Sequence, residues 1–266
     1  MSRRPAPHLE VLGPEEHDGV DPARPPLLFV PGLGHEAHCW DKWRAAATAA
    51  GYPAYAMSLR GHGHSAGRVR RSALSHYRDD VIRVAESLPA RPVLVGHSLG
   101  GLVTSQVIAR YDVPAAVLVA TVPSRPALGS LRSVARQHPG DAARIMVGRT
   151  LPMRPEYMFE SLSGDEVDQH LARCGPESPW AQFQLLLHRR PPLPRNGAPV
   201  LVLGSRADRL VPVADVRATS HRYGAELVEF PGIGHNLMQD VGWEAPWAAV
   251  AGWLDRVVVP ATARTA

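Results

Sequence analysis

Short apolar runs alternate with longer amphipathic stretches along most of the chain. Seven short runs have the apolar character of strands buried within a sheet: 9–12, 27–30, 55–59, 93–95, 115–120, 199–203 and 227–230. Four stretches have a helical pattern, namely 40–50, 77–88, 213–223 and 244–257, and a further helix-compatible segment follows 93–95. This alternation predicts an α/β fold with a mostly parallel central sheet and helices on both faces.

One region interrupts this alternation. Residues 123–196 contain no strand-like run, and prolines cluster at both edges. A capping box at 163–166 and a capping serine, Ser178, each predict the start of a helix. We therefore predict an α/β core formed by 1–122 and 197–266, and a helical cap, or lid, formed by 123–196. We place this cap after the sixth strand, over the carboxyl edge of the sheet.

The stretch that follows the apolar run 93–95 has the pattern of a nucleophile elbow. It reads Gly-His-Ser-Leu-Gly, with Ser98 at its centre and Gly96 and Gly100 on either side. In a sharp turn from strand to helix, the backbone at these two positions comes too close to its neighbours for a side chain. The turn exposes the Ser98 hydroxyl, and the helix start directs the Leu99 N–H toward the same point.

A serine nucleophile needs a base, and the base needs a carboxylate to orient it. In a parallel sheet both groups come from loops at the carboxyl ends of later strands. Asp208 and His235 each follow a predicted strand in a glycine-bearing loop. We predict that His235 accepts the proton of Ser98 and that Asp208 orients the imidazole. The weaker candidates for the acid are Asp112, Asp215 and Asp240, and a plainer interpretation of His235 is a surface-loop histidine.

An oxyanion hole requires a second N–H donor besides that of Leu99. The loop after the strand at 27–30 supplies the best candidate, Leu33, because Gly32 and Gly34 allow this loop to approach closely.

Composition narrows the class of protein. The chain has 266 residues, 45% of them hydrophobic and 20% charged, with a formal net charge of +4. The basic residues are scattered rather than clustered, which argues against binding of nucleic acid. No apolar run is long enough to span a membrane, and 1–7 lack the apolar core of a secretory signal. We expect a cytoplasmic protein without stable membrane insertion, as a monomer or a dimer.

The sequence also predicts that no cofactor or metal is bound. Cys39 and Cys174 lie in unrelated contexts, with no spacing typical of a zinc site or a disulfide framework. Neither a Gly-x-Gly-x-x-Gly motif nor a P-loop is present. The expected partner is a small-molecule substrate.

Taken together, these motifs resemble those of the α/β-hydrolase superfamily, in its lid-bearing esterase, lipase and thioesterase-like branch. The resemblance covers nearly the whole chain and rests on five segments: 31–34, 60–65, 96–101, 208–212 and 234–235. The stretch 32–40 is similar to plant-type esterases and hydroxynitrile lyases, which share the triad. The resemblance implies a hydrolase that cleaves a carboxylic ester, a thioester or a lactone. Two alternatives stay open: lyase or perhydrolase chemistry on the same triad, and a silent member that only binds a ligand.

Apolar residues of the cap suggest the substrate class. Together with His35, the residues expected to line the pocket are Met146, Met158, Phe159, Trp180, Phe183 and Leu187. Burial of apolar surface favours a neutral, hydrophobic ester of short to medium length. An arginine turned inward, from Arg144, Arg149 or Arg154, would instead favour an acid.

Overall fold

The computed structural model describes residues 7–14 and 19–258. The prediction that the chain begins without a secretory signal falls on 1–7, of which 1–6 lie outside the described residues. Seven strands form one sheet: β1 (Val11–Leu12), β2 (Leu27–Val30), β3 (Ala54–Met57), β4 (Val93–His97), β5 (Ala116–Val119), β6 (Val200–Ser205) and β7 (Glu226–Phe230).

The order of the strands is β1-β3-β2-β4-β5-β6-β7. The edge strand β1 pairs antiparallel with β3, and all other neighbours are parallel. The predicted α/β class with a mostly parallel sheet is therefore confirmed.

Ten helices accompany the sheet in the described part of the chain. They are α1 (Asp41–Ala49), α2 (Leu74–Ser87), α3 (Leu99–Ile108), α4 (Leu128–Gln137), α5 (Pro139–Met146), α6 (Pro155–Met158), α7 (Asp165–Ala172), α8 (Pro179–Leu187), α9 (Val213–Tyr223) and α10 (Glu244–Val257). Short 3-10 turns occupy Ala37–Trp40 and Val69–Arg71.

Alternate residues of the strands point into two separate cores, one on each face of the sheet. In β2, Leu28 and Val30 pack with residues of α2, α3 and α9, whereas Leu27 and Phe29 pack with residues of α1 and α10. All four side chains are fully buried. This period of two, with both faces apolar, is what a parallel strand covered on both sides requires.

Helices α4 to α8 form an insert between β5 and β6, and we call residues 123–196 the insert. The expectation that it follows the sixth strand is wrong, because the strand before it is the fifth along the chain. The sequence predicted two of its helices. Ser178 caps α8 as expected, accepting a hydrogen bond from Ala181 N at 3.2 Å. The Ser163 capping box does not form, because Gly164 occupies the cap position of α7.

Among the described residues, no helix has the length and apolar character needed to cross a membrane. The cytoplasmic location stays a prediction from the sequence.

Candidate active site

Ser98 lies in a sharp turn between β4 and α3. Its backbone has φ 51° and ψ −118°, a conformation that L-residues rarely adopt. A Cβ at Gly96 would collide with the Thr104 hydroxyl and the Gly100 carbonyl, and one at Gly100 would collide with backbone carbonyls at the end of β2. The turn therefore requires both glycines, and it holds the serine, which is 8% exposed, at the carboxyl end of β4.

The register of the sheet brings the other candidate residues to the same edge. Val30 pairs with Gly96, so the loop that begins at Pro31 lies beside the elbow. Ser205 pairs with Phe230, so the loops after β6 and β7 also lie next to each other. This edge is where an open α/β sheet presents its binding crevice.

Asp208 and His235 are hydrogen-bonded within this crevice. His235 Nδ1 lies 2.8 Å from Asp208 Oδ2, and the other carboxylate oxygen accepts from Leu210 N and Val211 N, each at 2.8 Å. Because an ionised carboxylate only accepts, the proton between the two groups belongs to Nδ1 of His235. The Nε2 atom is then the ring nitrogen that can take a proton from Ser98, which lines the same cavity.

Two backbone N–H groups are available for an oxyanion. Among the described residues, neither Leu33 N nor Leu99 N donates a hydrogen bond to a protein group. Leu99 is the first residue of α3, so its N–H is one of the unpaired donors of a helix start. Leu33 lies in the loop after β2 and lines the cavity with Ser98.

The cavity above Ser98 is lined mostly by apolar side chains. Its wall includes Val122, Val134, Ile145, Leu151, Leu185 and Val211. No arginine, lysine, aspartate or glutamate occurs among the described residues that line it. Arg154, considered as an inward-facing cation, instead forms an ion pair with Asp141 at 2.6 Å, and Arg144 and Arg149 are exposed.

Only some of the residues that were expected to form the pocket line the cavity. His35 and Met158 line the cavity. Five others do not, and the prediction for them is corrected: Met146, Phe159, Trp180, Phe183 and Leu187. Three of these side chains face solvent, with exposed fractions of 61% for Met146, 53% for Trp180 and 63% for Leu187. Phe159 is buried against the His170 ring, and Phe183 stacks on Trp180, since α8 directs this stripe away from the site.

Two buried histidines next to the site are neutral. Burial lowers the pKa of His35 to about 4, and burial, with the neighbouring His235, lowers the pKa of His97 well below its ordinary value. His97 Nε2 lies 3.1 Å from the backbone carbonyl of His235, and the two ring centroids are 4.7 Å apart. His97 therefore supports the backbone of the candidate base.

Two buried acids that the sequence did not assign to the site contact its loops. Asp240 is fully buried and accepts from the backbone N–H of Gly234 at 2.6 Å, next to His235. It also accepts from three consecutive N–H groups of the insert, at Glu160, Ser161 and Leu162. Glu177 of the insert accepts from Gly34 N in the loop after β2. No residue pattern identifies such contacts, because these carboxylates are paired with backbone groups.

No group of three or more histidine, cysteine, aspartate and glutamate side chains suited to a metal ion occurs in the part of the chain that the structure describes. Cys39 and Cys174 are both free thiols.

Comparison with known proteins assigns the family. Residues 27–253 match the Alpha/beta hydrolase family, and the chain belongs to it. It is 39% identical to "Probable esterase PIR7A" of Oryza sativa subsp. indica over 106 residues, which are 39% of this chain and 40% of that protein. It is 28% identical to "Monoacylglycerol lipase" of Mycolicibacterium smegmatis over 229 residues, covering 77% of this chain and 79% of that one.

The fold is shared with solved structures at low sequence identity. A soluble variant of monoglyceride lipase from Saccharomyces cerevisiae, in complex with a substrate analog, superposes with a TM-score of 0.78 at 10% identity. The superposition covers 97% of this chain and 94% of that one.

Proposed function

We propose that this chain is a serine hydrolase that cleaves a carboxylic ester of a neutral, hydrophobic small molecule through an acyl-enzyme on Ser98. The observation that carries the proposal is the His235–Asp208 hydrogen bond, at 2.8 Å, beside a serine held in a strained elbow in one apolar cavity. A thioester or a lactone undergoes the same acyl transfer and belongs to the proposed substrate class.

The proposed reaction has two steps. The Ser98 oxygen attacks the substrate carbonyl while His235 Nε2 takes its proton, and Asp208 stabilises the imidazolium that forms. The negative oxygen of the tetrahedral intermediate accepts from Leu33 N–H and Leu99 N–H. His235 then gives its proton to the leaving alcohol. In the second step, water activated by His235 releases the acid and restores Ser98.

The wall of the cavity supports the choice of a neutral substrate. A charged group placed among the apolar side chains would lose its hydration without gaining an ion pair. An aliphatic or aromatic group instead gains about 25 cal/mol for each Å² of apolar surface that it buries there.

Replacement of the nucleophile tests the proposal. We expect Ser98→Ala to lower the turnover of p-nitrophenyl butyrate by about 10⁴-fold or more and to abolish labelling by a fluorophosphonate. Ser75→Ala, which changes an exposed serine of α2, is the matched control and should retain both. Turnover of Ser98→Ala within about tenfold of the wild type would exclude Ser98 as the nucleophile. A wild type that neither turns over esters nor becomes labelled would favour the silent, ligand-binding alternative.

A further inference from the structure

The peptide unit between Leu33 and Gly34 is held on both of its sides. Its carbonyl, Leu33 O, lies 3.0 Å from His35 Nδ1, and its N–H, on Gly34, donates to Glu177 Oε2 at 3.2 Å. A carbonyl can only accept, so His35 carries its proton on Nδ1. The other ring nitrogen, Nε2, lies 3.1 Å from the side-chain amide of Asn236. The His35 ring is therefore itself held by a further contact.

Glu177 belongs to the insert, although the peptide that it holds belongs to the core. The chain reaches this point just before α8 begins, and Gly175 N donates to Gly34 O at 2.8 Å. A Cβ on Gly34, whose φ is +70°, would collide with Met153 and with the Gly175 carbonyl. The loop after β2 and the insert are thus packed backbone to backbone.

The carboxylate of Glu177 is itself held in one position. It is 4% exposed, and its second oxygen, Oε1, accepts from Tyr77 Oη and from Ser178 N, each at 2.6 Å. His62 Nε2 lies 3.4 Å from Oε2. Burial alone would raise the pKa of Glu177, but His62, Tyr77 and the Ser178 N–H outweigh it and lower the pKa, so the group is ionised. A buried carboxylate with these partners is a rigid acceptor.

Fixing this peptide also fixes the neighbouring N–H. The Leu33 N–H belongs to the preceding peptide, which is joined to the held one through the Cα of Leu33 and whose carbonyl, Gly32 O, accepts from His35 N at 3.2 Å. The held peptide is therefore the central one of a four-residue turn, and its rotation would change ψ of Leu33 and distort the turn that places the preceding peptide. A misplacement of about 1 Å in a catalytic group can cost roughly 10²-fold in rate. The position of this oxyanion donor therefore depends on what holds the peptide beside it.

We propose that Glu177 is a positioning residue for the oxyanion hole, so that the Leu33 N–H is correctly placed only while the insert is docked on the core. The inference rests on the proposed hydrolysis through Ser98. The insert then has a role beyond covering the cavity, since its docking completes the site that stabilises the tetrahedral intermediate. An insert that lifts away to admit substrate would leave the serine in place but weaken the oxyanion hole until it closes again.

The test separates stabilisation of the oxyanion from binding of the substrate. It compares wild type, Glu177→Ala, Glu177→Gln and Glu166→Gln, where Glu166 is an exposed glutamate of α7. Each is assayed with p-nitrophenyl butyrate and with an alkyl trifluoromethyl ketone. A serine oxygen adds to the carbonyl of this ketone and forms a tetrahedral oxyanion. We expect Glu177→Ala to lower kcat by about 10- to 100-fold with KM within about threefold. Its affinity for the ketone should fall by the same factor as kcat/KM.

Glu177→Gln keeps an oxygen that can accept from Gly34 N–H, so we expect its kcat to be at least about threefold higher than that of Glu177→Ala. The kcat and KM of Glu166→Gln should match those of the wild type. A rise in KM at unchanged kcat, or a fall in kcat with unchanged affinity for the ketone, would overturn the proposal. If Glu177→Ala does not fold, Glu177→Gln and Tyr77→Phe decide it by the same parallel loss. A wild type that is inactive and unlabelled would instead remove the hydrolase assignment on which the proposal rests.

Discussion

Two buried aspartates near His235 have different roles because they accept from different donors. Asp208 accepts from the imidazole itself, whereas the partners of Asp240 among the described residues are backbone N–H groups. The first carboxylate therefore determines which nitrogen of His235 carries the proton. The second holds the loop of His235 against the insert.

Substitution of each by asparagine should separate these roles. In Asp208→Asn the amide can donate to Nδ1, which leaves the proton on Nε2 and prevents His235 from accepting that of Ser98, so we expect kcat to fall by about 10⁴-fold. In Asp240→Asn one of the two acceptor oxygens of a fully buried carboxylate is lost, so we expect a loss of about 2 kcal/mol in the free energy of unfolding. The measurements are kcat and urea unfolding of both variants. A stability loss in Asp208→Asn with near-normal kcat would move the orienting acid elsewhere.

From the sequence alone, Asp240 is only a weaker candidate for the orienting acid, one whose replacement would be expected to matter little. Ser98, Asp208 and His235 could be proposed from the sequence because each follows a strand by a short, fixed distance. Asp240 and Glu177 could not, because their partners include backbone N–H groups of segments far away in the chain. Sequence patterns report which side chains are present, but they do not report which backbone groups meet them.

At the scale of elements, α8 is apolar on two sides. Leu185 and Leu186 line the cavity, while Trp180 and Leu187 are exposed on the other side of the helix. The helical spacing of Trp180, Phe183 and Leu187 shows that they share a face, but spacing does not show whether that face points in or out. This is why the predicted pocket contained the wrong face of this helix.

A pair of alanine variants in α8 should show which face meets the substrate. We expect Leu186→Ala to lower kcat/KM for a hydrophobic ester by about tenfold, because the loss of buried carbons costs roughly 1–2 kcal/mol of binding. Trp180→Ala, on the exposed face, should change kcat/KM for a soluble ester by less than about twofold. The kcat/KM of each variant, measured separately for a short and a longer p-nitrophenyl ester, shows both effects. A larger effect of Trp180→Ala than of Leu186→Ala would show that the face of α8 with Trp180 contacts the substrate.

The bounds of α9 and α10 could be predicted from the sequence. The bounds of α9 agree with the sequence prediction of 213–223, and Gly224 ends this helix with a left-handed φ of 58°. Within the insert, α4, α5 and α6 were missed. None of the three has a side chain that caps its first turn, as Ser178 caps α8, so the sequence signal for a helix start is absent there.

At the scale of the whole molecule, the sheet brings the site residues together, and burial of histidines at the site makes the stability of the folded protein depend on pH. The parallel register brings four loops to one edge, residues of the insert line the cavity there, and histidines next to Ser98 are buried. Burial lowers the pKa of His35 to about 4 and that of His97 well below its ordinary value. In the unfolded chain both would titrate near a pKa of about 6.5. Their folded forms stay neutral where the unfolded chain becomes charged.

This difference predicts that the protein loses stability as the pH falls. Between about pH 6.5 and 5 the unfolded state binds protons that the folded state does not, so His35 should lower the free energy of unfolding by about 1 to 2 kcal/mol, and His97 should act in the same direction. His62 acts in the opposite direction, because the neighbouring Glu177 outweighs burial and raises the pKa of His62. Most of the stability that His62 contributes is already present at about pH 6.5, so the further gain between about pH 6.5 and 5 offsets little of the loss. Urea unfolding at about pH 6.5 and pH 5 measures the change, and His35→Gln should show a smaller change than the wild type. Equal or greater stability at the lower pH would mean that these rings are protonated in the folded protein.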